Sequence, residues 1–227
     1  MRLIGMLDSP YVRRVAISLE YLGLPFEHES VSVFSTFDQF HRINPVVKAP
    51  TLVCDDGEVL MDSSLILQFI ETAKTGGDSS KPGGDSLWSR HPEAMQHEMR
   101  AVGLALAACE KSVQIVYERN LRPVSAQYEP WLARIKAQLL AAYAGLEQQV
   151  QQRQAAFLKA RSQASITAAV AWQFTQSMLS AIVPAANHAG LVELSARMEK
   201  TPEFLKYPPL GPGVPAANNP PQAPRTT

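Results

Sequence analysis

The chain has 227 residues, of which 46% are hydrophobic and 19% are charged, and its 21 basic residues balance 21 acidic ones. This composition is that of a globular protein, and the length favours two domains over one. Because the formal net charge is zero, no overall field favours nucleic acid or an anionic membrane. The expected partner is therefore a small molecule or another subunit.

The N-terminus and the cysteines exclude further classes. The chain starts without an apolar run typical of a signal peptide, and no run of about 18 apolar residues occurs anywhere. Cys54 and Cys109 are too few for a disulfide framework and lack metal-ligand spacing, and the histidines are scattered. We expect a soluble, cytoplasmic protein without a metal site or a membrane partner.

Residues 1–74 predict a domain of alternating strands and helices. Arg2 to Leu7 is expected to be a strand, and Pro10 opens a helix that ends near Gly23. The apolar face of that helix consists of Val12, Val15, Leu19 and Leu22. A second strand is expected over residues 26–33 and a short helix over residues 36–43.

A hairpin followed directly by a helix is the strongest local signal. Short strands over residues 51–53 and 59–61 flank the turn Asp55-Asp56-Gly57, and Asp62 and Ser63 stand before the helix. The predicted buried face of this helix consists of Leu65, Ile66, Phe69 and Ile70. The free N–H groups and the positive dipole end of such a helix suit a carboxylate or a phosphate. The element order βαβ-αββα is that of a thioredoxin-like α/β domain.

The rest of the chain predicts a linker, an all-α domain and a tail. Residues 75–87 are built mainly of Gly, Ser, Asp, Lys and Pro, which is typical of an interdomain linker. Residues 88–206 carry long helical periods that predict a helical bundle. One helix bears a stripe of small residues, Ala101, Ala105 and Ala108, which allows another helix to approach closely, either in a second subunit or in the same bundle. Residues 207–227 are proline-rich and are expected to be extended or disordered.

The motifs of the first domain resemble those of glutathione S-transferases. The matching residues are Asn44-Pro45, Lys48-Ala49-Pro50-Thr51-Leu52 and Asp62-Ser63. The resemblance implies that the Ala49–Pro50 bond is cis, that the backbone of Ala49 pairs with the cysteinyl group of glutathione, and that Asp62 and Ser63 hold its γ-glutamyl end. The family usually has a valine where Ala49 stands. In the core helix of the second domain, Ser165 stands where the family has a capping-box acid.

A second motif, SPYVRRV from Ser9 to Val15, resembles the first motif of serine-type bacterial glutathione S-transferases. It implies that the Ser9 hydroxyl donates a hydrogen bond to the glutathione sulfur and favours the thiolate. From the residues alone, Ser9 is equally a helix N-cap before Pro10. Lys48 either contacts a glutathione carboxylate or is a solvated edge lysine. Tyr11 and Cys109 are candidates for the electrophile pocket, although both residue types commonly pack in a core.

The leading hypothesis is therefore a glutathione S-transferase of the detoxification kind, which joins the glutathione thiol to a small hydrophobic electrophile or reduces a peroxide. Glutathione would be its co-substrate, and the resemblance implies a homodimer. The alternative is a binding or regulatory protein that retains the fold without catalysis.

Overall fold

The structure is a computed structural model and describes residues 1–75, 86–159 and 161–216. The N-terminal domain is a mixed four-stranded sheet with helices on both faces. Its strands are β1 (Arg2–Ile4), β2 (Glu27–Glu29), β3 (Thr51–Val53) and β4 (Val59–Met61). Its helices are α1 (Pro10–Tyr21), α2 (Phe37–Ile43) and α3 (Ser63–Thr75). The predicted order βαβ-αββα and the thioredoxin-like fold are confirmed.

The sheet has the strand order β2-β1-β3-β4. β1 runs parallel to β2 and antiparallel to β3, so that Leu3 lies opposite His28 on one side and Leu52 on the other. The hairpin strands have the predicted bounds, but β1 is shorter than predicted. Gly5 ends β1 with φ 140°, and a Cβ there would lie 2.6 Å from Val12 Cγ2. Glycine permits both this backbone conformation and the close approach of α1 to β1.

Two successive residues of β1 pack in two different hydrophobic clusters, one on each face of the sheet. Leu3 packs in the large cluster that α1 and α3 cover, whereas Ile4 packs with Phe40 of α2 on the opposite face. In α3 the buried side chains include Ile66 and Ile70. Leu65 and Phe69 were predicted to be buried with them but are 61% and 39% exposed, which corrects the predicted apolar face.

The C-terminal domain is all-α, as predicted. Its helices are α4 (Pro92–Leu121), α5 (Glu129–Gln152), α6 (Gln154–Lys159), α7 (Gln163–Leu179), α8 (Ala189–Met198) and α9 (Pro202–Lys206). The short helices α6 and α9 were not predicted. Residues 207–216 contain neither helix nor strand, and residues 217–227 of the predicted tail lie outside the described residues.

The stripe of small residues on α4 packs inside its own bundle. Ala101, Ala105 and Ala108 are all 0% exposed, and the next residue of the stripe, Ser112, shares a hydrogen bond of 2.8 Å with Thr175 of α7. The small side chains therefore let α4 and α7 approach each other. The reading of this stripe as a contact between subunits was wrong.

At the start of α7, one of the two hydrogen bonds of a capping box is present. The amide of Ser165 donates to Oγ of its N-cap, Ser162, at 3.2 Å. The Ser165 hydroxyl donates to the carbonyl of Phe157 at 3.1 Å, so it ties α7 to α6. A capping-box acid at this position would accept from the cap backbone, whereas the Ser165 hydroxyl donates to a carbonyl of α6.

The two domains share one continuous hydrophobic core. At their contact, the side-chain amide of Gln163 donates to Ser18 Oγ at 2.9 Å, and its backbone amide donates to the carbonyl of Leu87. Leu87 belongs to the predicted linker but is buried, and residues 76–85 of that linker lie outside the described residues. Among the helices that the structure describes, none is long and apolar enough to cross a membrane.

Candidate functional site

A cleft of about 1120 Å³ runs between the sheet domain and the helical bundle. All the predicted site residues except Cys109 line it, namely Ser9, Tyr11, Lys48, Ala49, Pro50, Asp62 and Ser63. They come from the loop before α1 and its first turn, from the loop before β3 and from the start of α3. The fold therefore gathers residues that are up to 54 positions apart in the sequence on one side of a single cleft.

Ser9 occupies the N-cap position of α1 without capping the helix through its side chain. Its φ and ψ are −74° and 121°, Pro10 follows as the first helical residue, and its hydroxyl makes no cap hydrogen bond. The Ser9 carbonyl accepts from the amide of Arg13 at 3.0 Å, as an N-cap carbonyl does. Because the hydroxyl is partly exposed and has no cap partner, it is available to a group in the cleft.

The loop before β3 presents Ala49 and Pro50. The peptide bond between them is cis, as predicted. The buried side chain of Asn44 donates to Thr51 Oγ1 at 2.8 Å, and the Thr51 hydroxyl donates to the carbonyl of Lys48 at 2.7 Å. These two hydrogen bonds fix the loop from behind, so the backbone of Ala49 is held just before β3, where Ala49 lines the cleft.

Asp62 and Ser63 form the start of α3, as predicted. Asp62 has φ 72°, its Oδ1 accepts from the amide of Ser64 at 2.9 Å, and its carbonyl accepts from the amide of Ile66. One N–H of the helix start is thus used internally. Lys48 Nζ lies 3.7 Å from Asp62 Oδ2, and both side chains are about half exposed. An exposed pair of this kind contributes about 0–1 kcal/mol, so a charged ligand can replace it.

Arg14 is a site residue that sequence reasoning missed. Its guanidinium is buried beneath α3, where Nη1 donates to Ser63 Oγ at 3.2 Å and to Ser64 Oγ at 3.3 Å. Nε has no protein partner, and no carboxylate of the described residues lies within ion-pair distance. Burial lowers the pKa of Arg14 to about 10, which leaves it charged at neutral pH. No sequence signal marks it, because arginine in a helix is mostly exposed.

This arrangement favours an anion at the start of α3. The buried charge of Arg14 lies behind the Ser63 hydroxyl, which accepts from the guanidinium and so keeps its own hydrogen for a ligand. The positive end of the α3 dipole adds to the same field. A buried cation without a carboxylate partner is costly. A carboxylate bound in the cleft would supply the missing negative charge.

The two residues suggested for the electrophile pocket differ in their positions. Tyr11 lines the cleft and is partly buried, and this burial raises the pKa of its hydroxyl above the usual range. Cys109 is 2% exposed and packs in the core of the bundle, so the expectation that it faces a ligand is corrected. Burial raises the pKa of its thiol to about 12, and it is therefore protonated and unreactive at neutral pH.

The second wall of the cleft is mostly apolar. It is formed by Phe34 after β2, by residues of α4 and by residues of α7, chiefly Leu106, Val113, Tyr117, Phe174 and Met178. Phe34 and Tyr117 meet edge to face, with ring centroids 5.6 Å apart. The helical periods of the sequence include Leu106, Val113, Phe174 and Met178, but they do not separate residues that line the cleft from residues of the core. Over the ranges that the structure describes, no cluster of His, Cys, Asp or Glu is arranged to hold a metal ion.

Comparisons with known proteins agree with this geometry. Residues 3–77 match the family model described as the glutathione S-transferase N-terminal domain. An uncharacterized GST-like protein of Escherichia coli (strain K12), YibF, is 35% identical over 71 residues, which are 31% of this chain and 35% of that protein. Glutathione S-transferase U4 of Arabidopsis thaliana is 30% identical over 92 residues, which are 40% of this chain and 35% of that protein. The chain thus spans about a third of the length of these curated relatives.

Structural similarity extends over both domains. A glutathione S-transferase of Methylobacterium radiotolerans, solved in complex with glutathione sulfonate, superposes with a TM-score of 0.78 at 26% identity and covers 95% of each chain. The arrangement of a sheet domain and a helical bundle is therefore shared with that protein. Residues 3–77 therefore belong to the glutathione S-transferase N-terminal domain family, and the chain as a whole has the two-domain fold of that Methylobacterium radiotolerans protein.

Proposed function

We propose that the chain is a glutathione-dependent transferase that joins the thiol of glutathione to a small hydrophobic electrophile. The observation that carries this proposal is the single cleft that gathers Ser9, Ala49, Asp62 and Ser63 opposite an apolar wall. A polar half that suits a charged tripeptide and an apolar half that suits its reaction partner are thus adjacent. Glutathione is the co-substrate, and no metal takes part in the proposed step.

Three contacts would hold the tripeptide. Its γ-glutamyl carboxylate binds at the start of α3, where the Ser63 hydroxyl donates to it and the buried charge of Arg14 attracts it. The backbone of Ala49 pairs with the cysteinyl group. Lys48, at the exposed rim, is available to the carboxylate of the glycyl end. This arrangement directs the sulfur toward the loop of Ser9.

Ser9 would act on the sulfur by donating a hydrogen bond to the thiolate. That bond stabilises the charged form, lowers the thiol pKa, and releases the thiol proton to solvent at neutral pH. The sulfur lone pair then forms a bond to the electrophilic carbon, and the electrons of the broken bond leave with the displaced group or shift into the substrate. The apolar wall near Tyr11 and Phe34 would bind the carbon skeleton of the electrophile.

Retention on immobilised glutathione and turnover test the proposal together. We expect the chain to be retained, to be eluted by free glutathione, and to conjugate 1-chloro-2,4-dinitrobenzene. A parallel assay with cumene hydroperoxide measures peroxide reduction, in which two glutathione thiols supply the two electrons. Retention without turnover of either substrate would support the binding or regulatory alternative, and loss of both retention and turnover would reject glutathione as the ligand.

We also propose that the protein is a cytoplasmic homodimer. Leu65 and Phe69 form an exposed apolar pair on α3, beside the site, and such a pair is suited to burial against a second subunit. The unpaired state of Cys54 and Cys109 agrees with a reducing compartment. This assignment replaces the small-residue stripe of α4 as the basis for dimerisation.

A further inference from the structure

The chain that follows α9 is anchored firmly at Tyr207. The guanidinium of Arg13, 1% exposed, donates to both oxygens of Glu199 at 2.7 and 2.6 Å, and its Nε donates to the carbonyl of Tyr207 at 2.8 Å. The Tyr207 ring stacks on Phe26, and its hydroxyl donates to Glu20 at 3.0 Å. A buried arginine with such a complete set of partners fixes the direction in which the chain leaves the bundle.

From this anchor the chain runs to the loop that carries Ser9. The amide of Gly213 donates to Asp8 Oδ2 at 2.8 Å, across 205 positions of sequence. Gly213 has φ 68°, a conformation that favours glycine. At Gly211 even a methyl group would overlap the Asp8 carboxylate, so the backbone passes directly against this side chain. The two glycines thus allow the chain to fasten beside the proposed sulfur site.

We name residues 208–216 the C-terminal strap. Pro209, Pro212 and Val214 of the strap line the same cleft as Ser9 and Tyr117. Val214 also packs against the main hydrophobic core. The prolines restrict the backbone before any ligand binds, which lowers the entropy lost when the strap is ordered. With the strap in position the cleft still measures about 1120 Å³, slightly more than the roughly 300–1,000 Å³ of typical ligand sites. The strap therefore bounds the cleft without filling it.

We infer that the C-terminal strap is a specificity-determining wall of the electrophile half of the cleft. Fastened to Asp8, it presents apolar atoms to the group carried on the glutathione sulfur and thereby favours apolar substituents that reach it. The inference rests on the proposed function. It goes further by assigning a role in recognition to residues that follow the last helix, which are distant in the sequence from the motifs of the N-terminal domain.

Truncation tests this inference with a matched control. A chain ending at Leu210 retains the Tyr207 anchor but loses Gly211, Gly213 and Val214, whereas a chain ending at Ala216 retains the whole strap. Calorimetry would compare the Kd of glutathione, S-methylglutathione and S-hexylglutathione for these two chains and the full chain. In the shorter chain we expect S-hexylglutathione to bind about five- to tenfold more weakly, the effect of exposing a few apolar groups. The Kd of glutathione should stay within twofold, and the chain ending at Ala216 should match the full chain.

A point substitution gives the same test without truncation. Gly211→Ala sets a methyl group against Asp8 and should weaken S-hexylglutathione binding in the same direction, with the thermal midpoint unchanged. Three results would overturn the inference. They are equal Kd values for S-hexylglutathione in all chains, equal weakening of all three ligands, or tighter binding of S-hexylglutathione in the shorter chain, which would mean that the strap obstructs the cleft.

A separate probe distinguishes failure of the strap from failure of the proposed function. If no chain binds glutathione, the proposed function fails, and the strap is then tested with the fluorescent apolar probe 1-anilinonaphthalene-8-sulfonate. Its affinity should fall severalfold in the chain that ends at Leu210 and stay constant in the chain that ends at Ala216. An unchanged affinity in both chains would overturn the inference.

Discussion

Replacing Arg14 by methionine should weaken glutathione binding without lowering the stability of the free protein. Arg14 is buried, and its charge has no carboxylate partner among the residues that the structure describes. Removing such a charge relieves a desolvation cost, so the unliganded variant should unfold at an equal or higher temperature. When glutathione is bound, the same change removes the charge that lies behind Ser63.

The magnitude follows from the interaction that is lost. The bond from Ser63 to the γ-glutamyl carboxylate loses the charge that strengthens it, and charge-assisted interactions contribute about 1.5–3 kcal/mol, so the Kd of glutathione should rise about ten- to a hundredfold. The Arg14 pKa of about 10 leaves the guanidinium protonated throughout the neutral range. A base is charged below its pKa, so the ratio of the two Kd values should be the same at pH 6.5 and pH 8.

Arg13 provides a matched control because it is the adjacent residue, is equally buried, and has a full set of partners. Arg13→Met leaves Glu199 without its partner and should lower the thermal midpoint, while the Kd of glutathione stays within twofold. Calorimetry and thermal unfolding of both variants distinguish the role of Arg14 in glutathione binding from the role of Arg13 in stability. The reasoning would be refuted if Arg14→Met lost stability as Arg13→Met does and kept the glutathione affinity of the parent.

Two further predictions concern the start of α3. Ser63→Ala removes the hydroxyl that is expected to donate to the γ-glutamyl carboxylate, and it should weaken glutathione binding by about 1–3 kcal/mol; an unchanged Kd by calorimetry would count against this role. Leu65→Glu combined with Phe69→Glu introduces two charges into the exposed apolar pair of α3. In sedimentation, the double variant should behave as the 24.9 kDa monomer and the parent chain as a dimer. A parent chain that sediments only as a monomer at micromolar concentration would contradict the proposed dimer.

The sequence predicted best those features that local chemistry determines. The hairpin around Asp55-Asp56-Gly57 has the predicted strand bounds, because a tight turn and two short apolar runs suffice to define it. β1 ended earlier than predicted, because its end depends on Gly5 approaching α1 closely, which is a tertiary contact. The short helices α6 and α9 offer too few residues for a periodic pattern.

The site was only partly predictable for a related reason. The motifs that contain Ser9, Pro50 and Ser63 occur as short runs in the sequence, and the fold gathers them in one cleft. Arg14 serves the site from behind, through contacts with α3 that no local pattern encodes. Cys109 lies on α4 near residues that line the cleft, but its side chain is buried in the core. The spacing of residues along the sequence did not distinguish positions that face the cleft from positions that face the core.

The central claim is that the Ser9 hydroxyl stabilises the glutathione thiolate, and the pKa of the bound thiol tests it most directly. The ultraviolet absorbance of the thiolate, titrated with pH, would be followed in the parent chain and in Ser9→Ala. We predict a bound thiol pKa about one to two units below that of a free thiol, equivalent to roughly 1.4–2.7 kcal/mol, and its return to the free value in the variant. Turnover at neutral pH should fall about ten- to a hundredfold, while the Kd of glutathione and the thermal midpoint change little, because the hydroxyl makes no cap hydrogen bond. An identical thiol pKa in both chains, with full turnover and a lowered thermal midpoint in Ser9→Ala, would contradict the claim.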